Sequence, residues 1–268
     1  MEARLRPLSV AGEQECHAYS IGVDPDVTVF TYEQPGQMGT VNHFVVRGDP
    51  HSSLSIHAES TVDTLCSRPF VGLDLLAQDW DGLSNGDVAK NCAEFLSPTP
   101  LVPLVGFWSG PDTATSVLAY AQALSAEIYG QFEYVPGATE ISTPLTEFVS
   151  LKRGVCQDYA HLMLSVARAH GVPARYVSGY IYAGDDTGTH GAGATHAWVE
   201  LYLPHAQIWK GFDPTNNILV GDRHVKIAVG RDYADVPPTK GILRAKPGLS
   251  LPSATSLTVD VRIERVGA

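Results

Sequence analysis

Three residues that together can break an amide bond follow one another in the second half of the chain: Cys156, His196 and Asp213. A thiolate attacks a carbonyl carbon when a neighbouring base removes its proton, and the base works best when an acceptor orients its imidazole. Cysteine is also common as a small buried apolar residue, so Cys156 alone does not indicate catalysis. The prediction depends on whether the surrounding elements bring the three side chains together.

Cys156 lies at the start of a predicted helix. The segment "RGVCQDYAHLMLSVARAHG", residues 153–171, has an apolar face that includes Ala160 and Met163, and a Gly-Val-Pro stop signal follows it. The first amides of a helix have no intrahelical acceptor, and the helix dipole favours negative charge there. A thiolate is therefore favoured at Cys156, and its backbone N–H is a candidate oxyanion donor.

Two other polar residues of this helix are not assigned the role of the base. Asp158 lies in the first turn, where a carboxylate suits the dipole but opposes a thiolate, so we interpret it as a helix-start residue. His161 follows Cys156 by five positions, about 140° around the helix, and is poorly placed to take its proton. This leaves His196 as the partner of Cys156.

The histidine and the aspartate are predicted on neighbouring antiparallel strands. Residues 195–203 alternate so that His196 and Trp198 face away from the apolar side. With a two-residue turn at 204–205, His196 would lie directly opposite Asp213, within hydrogen-bond reach. A register shift of two residues would make the pair diagonal and still within reach, whereas a shift of one would separate the faces. Trp198 is predicted either to form a wall of a substrate cleft or to pack in the core.

The remaining elements complete an α+β pattern. The N-terminal part has short β-branched and aromatic runs, residues 67–111 are irregular, and helices precede strands in the second half. A helix is predicted through Val117 and Ile128, and a short one with Thr143 as N-cap and Pro144 at the first helical position. Strands are predicted at 28–34, 41–48, 53–61, 174–182, 195–203 and 208–213, with further short ones in "HVKIAVG" and in the alternating tail "LTVDVRIE".

Three segments together resemble the transglutaminase-like (papain-fold) superfamily: "GVCQDYAHLMLSVARAHGVPARYVSGY", "HAWVELYLP" and "GFDPTN". The similarity covers about residues 110–217, and weaker likeness extends to "EARLRP" near the start and "AVGRDYADVPP" at 228–238. The order Cys, His, Asp, with gaps of 40 and 17 residues, resembles the bacterial group that carries a β-rich N-terminal domain. Members of that group usually begin with another strand or two, so the first sheet is expected either to be trimmed or to begin upstream.

The resemblance implies a papain-like transglutaminase core, with helices packed on an antiparallel sheet, behind an N-terminal β-sandwich-like domain. The expected units are residues 1–105, a β-rich domain, 106–235, the catalytic core, and 236–268, a strand-forming tail. It also implies that Cys156 is the nucleophile, His196 the general base and acid, and Asp213 the orienting carboxylate, without a metal or an organic cofactor. The implied chemistry is acyl transfer from an amide through a thioester.

The composition limits the partners. The formal net charge of −11, with no basic run, argues against nucleic acid and anionic membranes, which leaves a peptide or protein substrate as the expected partner. No apolar run approaches the roughly 18 residues that cross a bilayer, and no signal-peptide pattern opens the chain. The cysteines Cys16, Cys66, Cys92 and Cys156 are widely spaced, which favours a reduced, cytoplasmic setting.

Several alternatives remain open at the level of sequence. His190, His196 and His205 could suggest a metal site, but they lack a metal-ligand spacing. Residues 183–195 could form an ordinary hairpin loop or a mobile flap over the nucleophile. Trp108, Tyr120 and Tyr134 precede Cys156 with no motif that selects one as second oxyanion donor. Hydrolysis is the first choice of reaction and protein cross-linking the second; the opposing class is a non-catalytic scaffold.

Overall fold

The structure, a computed structural model, describes residues 1–34, 38–47, 51–65, 71–73, 79–104, 116–184, 188–244 and 256–266. Its helices are Gly86–Asn91 (α1), Val117–Gln131 (α2), Leu145–Leu151 (α3) and Cys156–Ala169 (α4), with 3₁₀ turns at Trp80–Ser84 and Ala93–Phe95. The strands are Glu2–Ala3 (β1), Gln14–Asp24 (β2), Phe30–Glu33 (β3), Thr40–His43 (β4), Ser55–Thr64 (β5), Glu133–Tyr134 (β6), Arg153–Gly154 (β7), Ala174–Ile181 (β8), His196–Leu203 (β9), Ile208–Asp213 (β10), Ile218–Leu219 (β11), His224–Gly230 (β12) and Thr239–Lys240 (β13).

A five-stranded antiparallel sheet with the order β11-β10-β9-β8-β12 forms the centre of the molecule. The strands β9 and β12 flank β8 and both run antiparallel to it, so they are parallel to each other. Each of them begins with a histidine, and β10 ends with an aspartate. His196, His224 and Asp213 are therefore brought to the same edge of the sheet.

The apolar face of this sheet packs against α4, and α2 packs against α4 in turn. Residues of α4 such as Leu162 and Val166 are fully buried, as are Leu124 and Ile128 of α2. Burying one such side chain contributes roughly 1.5–3 kcal/mol. Ser116 caps α2 by accepting a hydrogen bond from the Ala119 N–H. The layered core thus holds α4, and with it Cys156, in a fixed position over the sheet.

The N-terminal part contributes two further sheets, as expected for a β-rich region. One has the order β13-β1-β4-β3, and the other is a two-stranded antiparallel sheet formed by β2 and β5. Strand β5 of this two-stranded sheet packs against β12 of the central sheet. The chain returns at Thr239–Lys240 to pair with β1, so the N-terminal sheet includes a strand from beyond residue 235. None of the described helices is both long and apolar enough to cross a lipid bilayer.

The turn between β9 and β10 differs from the prediction. Leu203 is paired with Ile208, so four residues form the connection instead of two, and Gln207 adopts a left-handed conformation with φ 55°. The ladder is shifted by two residues, and His196 and Asp213 are diagonal instead of directly opposite. Because the shift is even, both residues keep the same face of the sheet.

Three smaller predictions are also corrected. Pro144 occupies the N-cap position of α3, and Thr143 does not cap the helix but accepts a hydrogen bond from the Glu140 N–H. The region expected to be irregular contains α1 and two 3₁₀ turns among its described residues. The alternating tail forms no strand in the described residues 256–266, since an alternating pattern becomes a strand only when a neighbouring strand pairs with it.

Candidate active site

Cys156 is the first residue of α4 and is partly exposed. The helix start is fixed by Asp158, whose Oδ2 accepts hydrogen bonds from the Val155 N–H at 2.9 Å and from the Thr139 hydroxyl at 2.5 Å. Burial raises the pKa of Asp158, and these two hydrogen bonds partly offset that rise. Gly154, two residues before the cysteine, must be glycine because a Cβ there would collide with Phe148 and with the Asp158 carboxylate. Asp158 is thus a capping residue of the helix that presents the thiol.

The imidazole of His196 is bonded to the carboxylate of Asp213, with 2.8 Å between Nε2 and Oδ2. Both side chains are completely buried. Asp213 Oδ2 also accepts a hydrogen bond from Asn216 Nδ2 at 2.8 Å and lies 3.4 Å from Nε2 of His224. The other oxygen of Asp213, Oδ1, accepts hydrogen bonds from the backbone N–H groups of Thr215 and Asn216. A carboxylate with this many donors is held in one position and in its charged form.

The protonation states follow from these contacts. Burial alone would lower the pKa of His196, but the charge and hydrogen bond of Asp213, together with the neighbouring Cys156, raise it to about 10. Burial alone would raise the pKa of Asp213, yet His196 and His224 hold it well below its usual range. The pair is therefore an imidazolium–carboxylate ion pair at neutral pH.

His224 is a second histidine beside Asp213. Burial lowers its pKa, and the attraction of Asp213 only partly opposes this, so His224 is neutral at pH 7. Its Nδ1 faces the Gly221 N–H at 3.4 Å and acts as acceptor, which leaves the proton on Nε2, the nitrogen nearest Asp213. His224 therefore acts toward Asp213 as a neutral donor.

Cys156 is a neighbour of the His196 imidazole. Its thiol is close enough to raise the pKa of His196, while the buried Nδ1 makes no hydrogen bond of ordinary length among the described residues. Loose contacts of this kind between nucleophile and base are common in substrate-free sites. The structure therefore brings Cys156, His196 and Asp213, all selected from the sequence, into one cluster.

A wall of two stacked rings stands beside this cluster. The rings of Tyr134 and His190 are stacked, with centroids 4.5 Å apart. Burial, and then the charges of Cys156 and Asp213, raise the pKa of Tyr134 to about 12, which keeps its hydroxyl protonated. Tyr134 also pairs with Gly154 in the short β6–β7 ladder. Of the three candidates for a second oxyanion donor, Tyr134 is at the site. Tyr120 is in the core against Trp80 and His170, and Trp108 is outside the described residues.

Two residues considered from the sequence lie in the interior of the protein. Trp198 is fully buried and packs with Val177 and Val229, so its place is that of a core residue and not of an exposed cleft wall. His161 accepts a hydrogen bond from the Tyr233 N–H, and burial lowers its pKa to about 3. Because its pKa is this low and its Nε2 already accepts a hydrogen bond, His161 cannot take the proton of Cys156.

Among the described residues, His196, Asp213 and His224 are the group whose ligand atoms, within 4.8 Å of one another, could hold a metal ion. A cation there would have to displace the proton that His196 Nε2 shares with Asp213. The three histidines considered from the sequence, His190, His196 and His205, do not form such a group in the described part of the chain.

Sequence reasoning missed His224 and Asn216. The signal for His224 was its position as the first residue of a strand, the same position that His196 has in β9. Asn216 follows Asp213 in the turn "DPTN", where Asn and Asp side chains commonly bond to nearby backbone. Neither signal shows that the residue contacts Asp213. That contact depends on the order of the strands in the sheet, which places β9 and β12 on either side of β8.

This arrangement, a helix-terminal cysteine above an antiparallel sheet that carries a histidine–aspartate pair, defines an α+β protein of the papain-like class. The family model of the transglutaminase-like superfamily matches residues 109–214, and that of the bacterial transglutaminase-like N-terminal region matches residues 1–63. An uncharacterized protein of Mycobacterium tuberculosis is 34% identical over 264 residues, which cover 92% of this chain and 82% of that one. The chain belongs to the transglutaminase-like superfamily, in the bacterial group with a β-rich N-terminal region.

Two further relatives have more specific descriptions. A Cytophaga hutchinsonii protein described as a "putative cysteine protease" has a crystal structure that matches with a TM-score of 0.66 and 25% identity, covering 88% of this chain and 77% of that one. The protein-glutamine gamma-glutamyltransferase of Pseudomonas aeruginosa is 37% identical over 119 residues, which are 40% of this chain and 18% of that enzyme. Members of the superfamily are typically cysteine-dependent enzymes.

Proposed function

We propose that the protein is a thiol-dependent acyl transferase that cleaves amide bonds through a thioester on Cys156, with hydrolysis of peptide or isopeptide bonds as the reaction. The observation that carries this proposal is the 2.8 Å bond between His196 and Asp213, both fully buried, beside a cysteine at a helix start. Buried polar groups of this kind stabilise a fold poorly but suit the activation of a nucleophile.

The reaction divides into two halves. The Cys156 sulfur attacks the amide carbon, the C–N bond breaks, and His196 gives its proton to the departing amine. Water then attacks the thioester while His196 removes one of its protons, and the C–S bond breaks to release the acid and regenerate the thiolate–imidazolium pair. Asp213 keeps the imidazole oriented and stabilises its charge without exchanging protons.

The oxyanion of each tetrahedral intermediate needs donors close to Cys156. The backbone N–H of Cys156 is in the first turn of α4, where no intrahelical acceptor exists, and it points toward the helix start. Tyr134, kept protonated by its burial, is the side-chain donor that we assign beside it.

Transamidation is the second candidate. It differs only in the second half, where a primary amine replaces water, and the similarity to a protein-glutamine gamma-glutamyltransferase over 119 residues favours it. Hydrolysis remains the first choice because water needs no dedicated site. The proposed substrate is a peptide or protein, and the proposed compartment is the cytoplasm, in keeping with the free thiols of Cys16, Cys92 and Cys156.

The test is a screen of peptide and isopeptide substrates with and without an added primary amine, followed by mass spectrometry of the products. Gain of water supports hydrolysis, and incorporation of the amine supports transamidation. Cys156→Ala should abolish both hydrolysis and amine incorporation. Cys16→Ala is the matched control because Cys16 lies on β2, in the N-terminal part of the protein. Retained turnover in Cys156→Ala would show that another nucleophile acts.

The rate at which Cys156 is alkylated distinguishes an enzyme with an activated thiolate from a scaffold without activity. An activated thiolate reacts with iodoacetamide well below pH ~8.5, the ordinary pKa of a free thiol. If Cys156 reacts no faster than free cysteine at pH 6, the proposed function is wrong. Peptide mapping by mass spectrometry assigns the label to Cys156 against the other cysteines.

A further inference from the structure

The side chain of Asn216 joins the buried ion pair to the loop that covers it. Its Nδ2 donates to Asp213 Oδ2 at 2.8 Å and to the His190 carbonyl at 3.1 Å. Its Oδ1 accepts the His190 N–H at 2.8 Å. One carboxamide therefore bonds to the carboxylate and to both backbone groups of a single loop residue.

These three bonds fix which end of the carboxamide is nitrogen. If the amide were rotated by 180°, Oδ1 would face the Asp213 carboxylate and the His190 carbonyl, and Nδ2 would face the His190 N–H. All three contacts would then join two acceptors or two donors. The orientation of Asn216 is thus dictated jointly by Asp213 and by the loop, and neither can move away without losing its hydrogen bonds to Asn216.

The loop held in this way lies directly on the base. Gly191, with φ 83°, packs so closely on His196 that a Cβ at this position would collide with Nδ1. The preceding residue, His190, stacks on Tyr134 beside Cys156. Because the side chain of His196 is completely buried, this close packing shields its imidazole from solvent.

We propose that Asn216 is a positioning residue that couples residues 188–194 to the His196–Asp213 pair, so that the loop closes on His196 only while Asp213 is held for catalysis. The proposal deepens the proposed function and rests on it. The physical coupling itself is a property of the fold, and it can be measured whether or not a substrate is known.

The test compares Asn216→Leu and Asn216→Asp with the control Asn217→Gly. Leucine keeps the approximate size of Asn216 and removes all three bonds. Aspartate keeps the shape but supplies no donor when ionised, and it faces Asp213 with a second negative charge. Asn217 is exposed with φ 51°, a conformation that glycine adopts freely, so Asn217→Gly changes the next residue without touching the network.

Two readouts are followed in each variant. Hydrogen exchange of a peptide that covers residues 188–194 reports the loop, and the downfield NMR signal of the His196 Nε2–H, assigned with His196→Gln, reports the bond to Asp213. We expect both Asn216 variants to speed exchange roughly tenfold, as for the loss of one or two hydrogen bonds, and to shift or broaden the His196 signal. Asn217→Gly should change neither.

Faster loop exchange with an unchanged His196 signal would make Asn216 a loop anchor only and would overturn the coupling. The coupling would also be overturned if neither the exchange rate nor the His196 signal changed. If Asn216→Leu does not fold, Asn216→Asp decides, because aspartate keeps the shape of the side chain and the acceptor for the His190 N–H. Slow alkylation of wild-type Cys156 would overturn the proposed function and leave these two readouts to judge the coupling by themselves.

Discussion

His196 and Asp213 meet diagonally across two strands, with 2.8 Å between Nε2 and Oδ2. In the β9–β10 ladder, Phe212 pairs with Val199, so Asp213 lies beyond that pair and two positions from the place opposite His196. Diagonal neighbours on one face remain within reach of long side chains. The pairing therefore depends on the shared face of the two residues and tolerates an even shift of register, but no odd one.

Asp213→Asn should lower the pH at which activity is lost on the alkaline side. Burial alone would lower the pKa of His196, but the charge and hydrogen bond of Asp213, together with Cys156, raise it to about 10, and the neutral amide removes that charge. The pKa of His196 must then fall, and the imidazolium that protonates the leaving amine disappears at lower pH. We expect the alkaline limb of the kcat profile to move down by more than about one pH unit, with roughly 10–1,000-fold lower kcat at pH 8.

The same experiment includes Asp213→Ala. Asp63→Asn, at an exposed position of β5 in the N-terminal part, is the control for net charge. Asp213→Ala should lose more activity than Asp213→Asn because the imidazole is then free to turn, and should also unfold at lower temperature because several buried donors lose their acceptor. An Asp213→Ala variant as active as wild type would reduce Asp213 to a structural residue at the end of a strand.

Asp158→Ala should destabilise the start of α4 and slow the reaction of Cys156, because loss of the ordered helix start that presents the thiol outweighs the removal of a carboxylate that opposes the thiolate. The variant removes the acceptor of the Val155 N–H and of the Thr139 hydroxyl. Loss of a helix cap costs about 0.5–2 kcal/mol. Asp158→Asn keeps an acceptor oxygen and should retain most of the stability. Urea unfolding gives the stability, and alkylation of Cys156 gives the reactivity; equal values for the alanine variant and wild type would contradict the capping role.

The elements that carry the site were predictable from local patterns. The helix at Cys156 has both a periodic apolar face and a Gly-Val-Pro stop, and β9 alternates over its whole length. Family likeness and these patterns together identify Cys156, His196 and Asp213 from the sequence alone. Signals of this kind depend only on residues that are close in sequence, so they predict the element without knowledge of the tertiary structure.

The features that sequence reasoning missed depend on the tertiary structure or on unusual backbone. The length of the β9–β10 turn depends on Gln207 in a left-handed conformation, which its residue type does not favour. The sequence left open whether Trp198 lines a cleft or packs in the core, and the tertiary structure decides for the core: Trp198 shares the face of His196, but Leu8 of the N-terminal part packs against its cluster there. The alternating tail lacks a neighbouring strand in the described residues.

Lys226→Met should destabilise the protein because it leaves the buried carboxylate of Glu200 without one of its two cationic partners. The Lys226 ammonium bonds to Glu200 at 2.5 Å and to Glu13 at 2.6 Å, and Arg175 bonds to the other oxygen of Glu200 at 2.6 Å. Lys226 and Glu200 are both buried, and removing one partner of such a pair costs roughly 3–5 kcal/mol. Urea unfolding at pH 7 should show the loss, and Lys226→Met/Glu200→Gln should recover part of it.

The pH dependence of this network follows from Glu200. Its pKa is lowered, because the attraction of Lys226 and Arg175 outweighs the opposing effect of burial. A lowered pKa means that the ion pair stabilises the native state above the unfolded pKa of about 4.3 and that this contribution is lost as the pH falls through the folded value. Wild type should therefore lose stability on acidification more steeply than the double variant; parallel curves would contradict a role for the pair.

Gly191→Ala and Gly193→Ala form a matched pair that isolates the contact of the loop with the base. Both glycines have positive φ, 83° and 81°, so alanine introduces similar backbone strain of roughly 1 kcal/mol or more at each. They differ in surroundings: a Cβ at Gly191 would meet the imidazole of His196, whereas a Cβ at Gly193 meets nothing within 4 Å. Both variants should therefore lower the thermal transition through backbone strain, and Gly191→Ala should lower it further because the buried imidazole must also move. Gly191→Ala alone should displace Nδ1 from Cys156 and reduce the alkylation rate of Cys156 at pH 6 by more than roughly tenfold. Equal rates in the two variants would mean that the loop can shift without disturbing His196, and that its close packing on the imidazole has no part in setting the geometry of the nucleophile and its base.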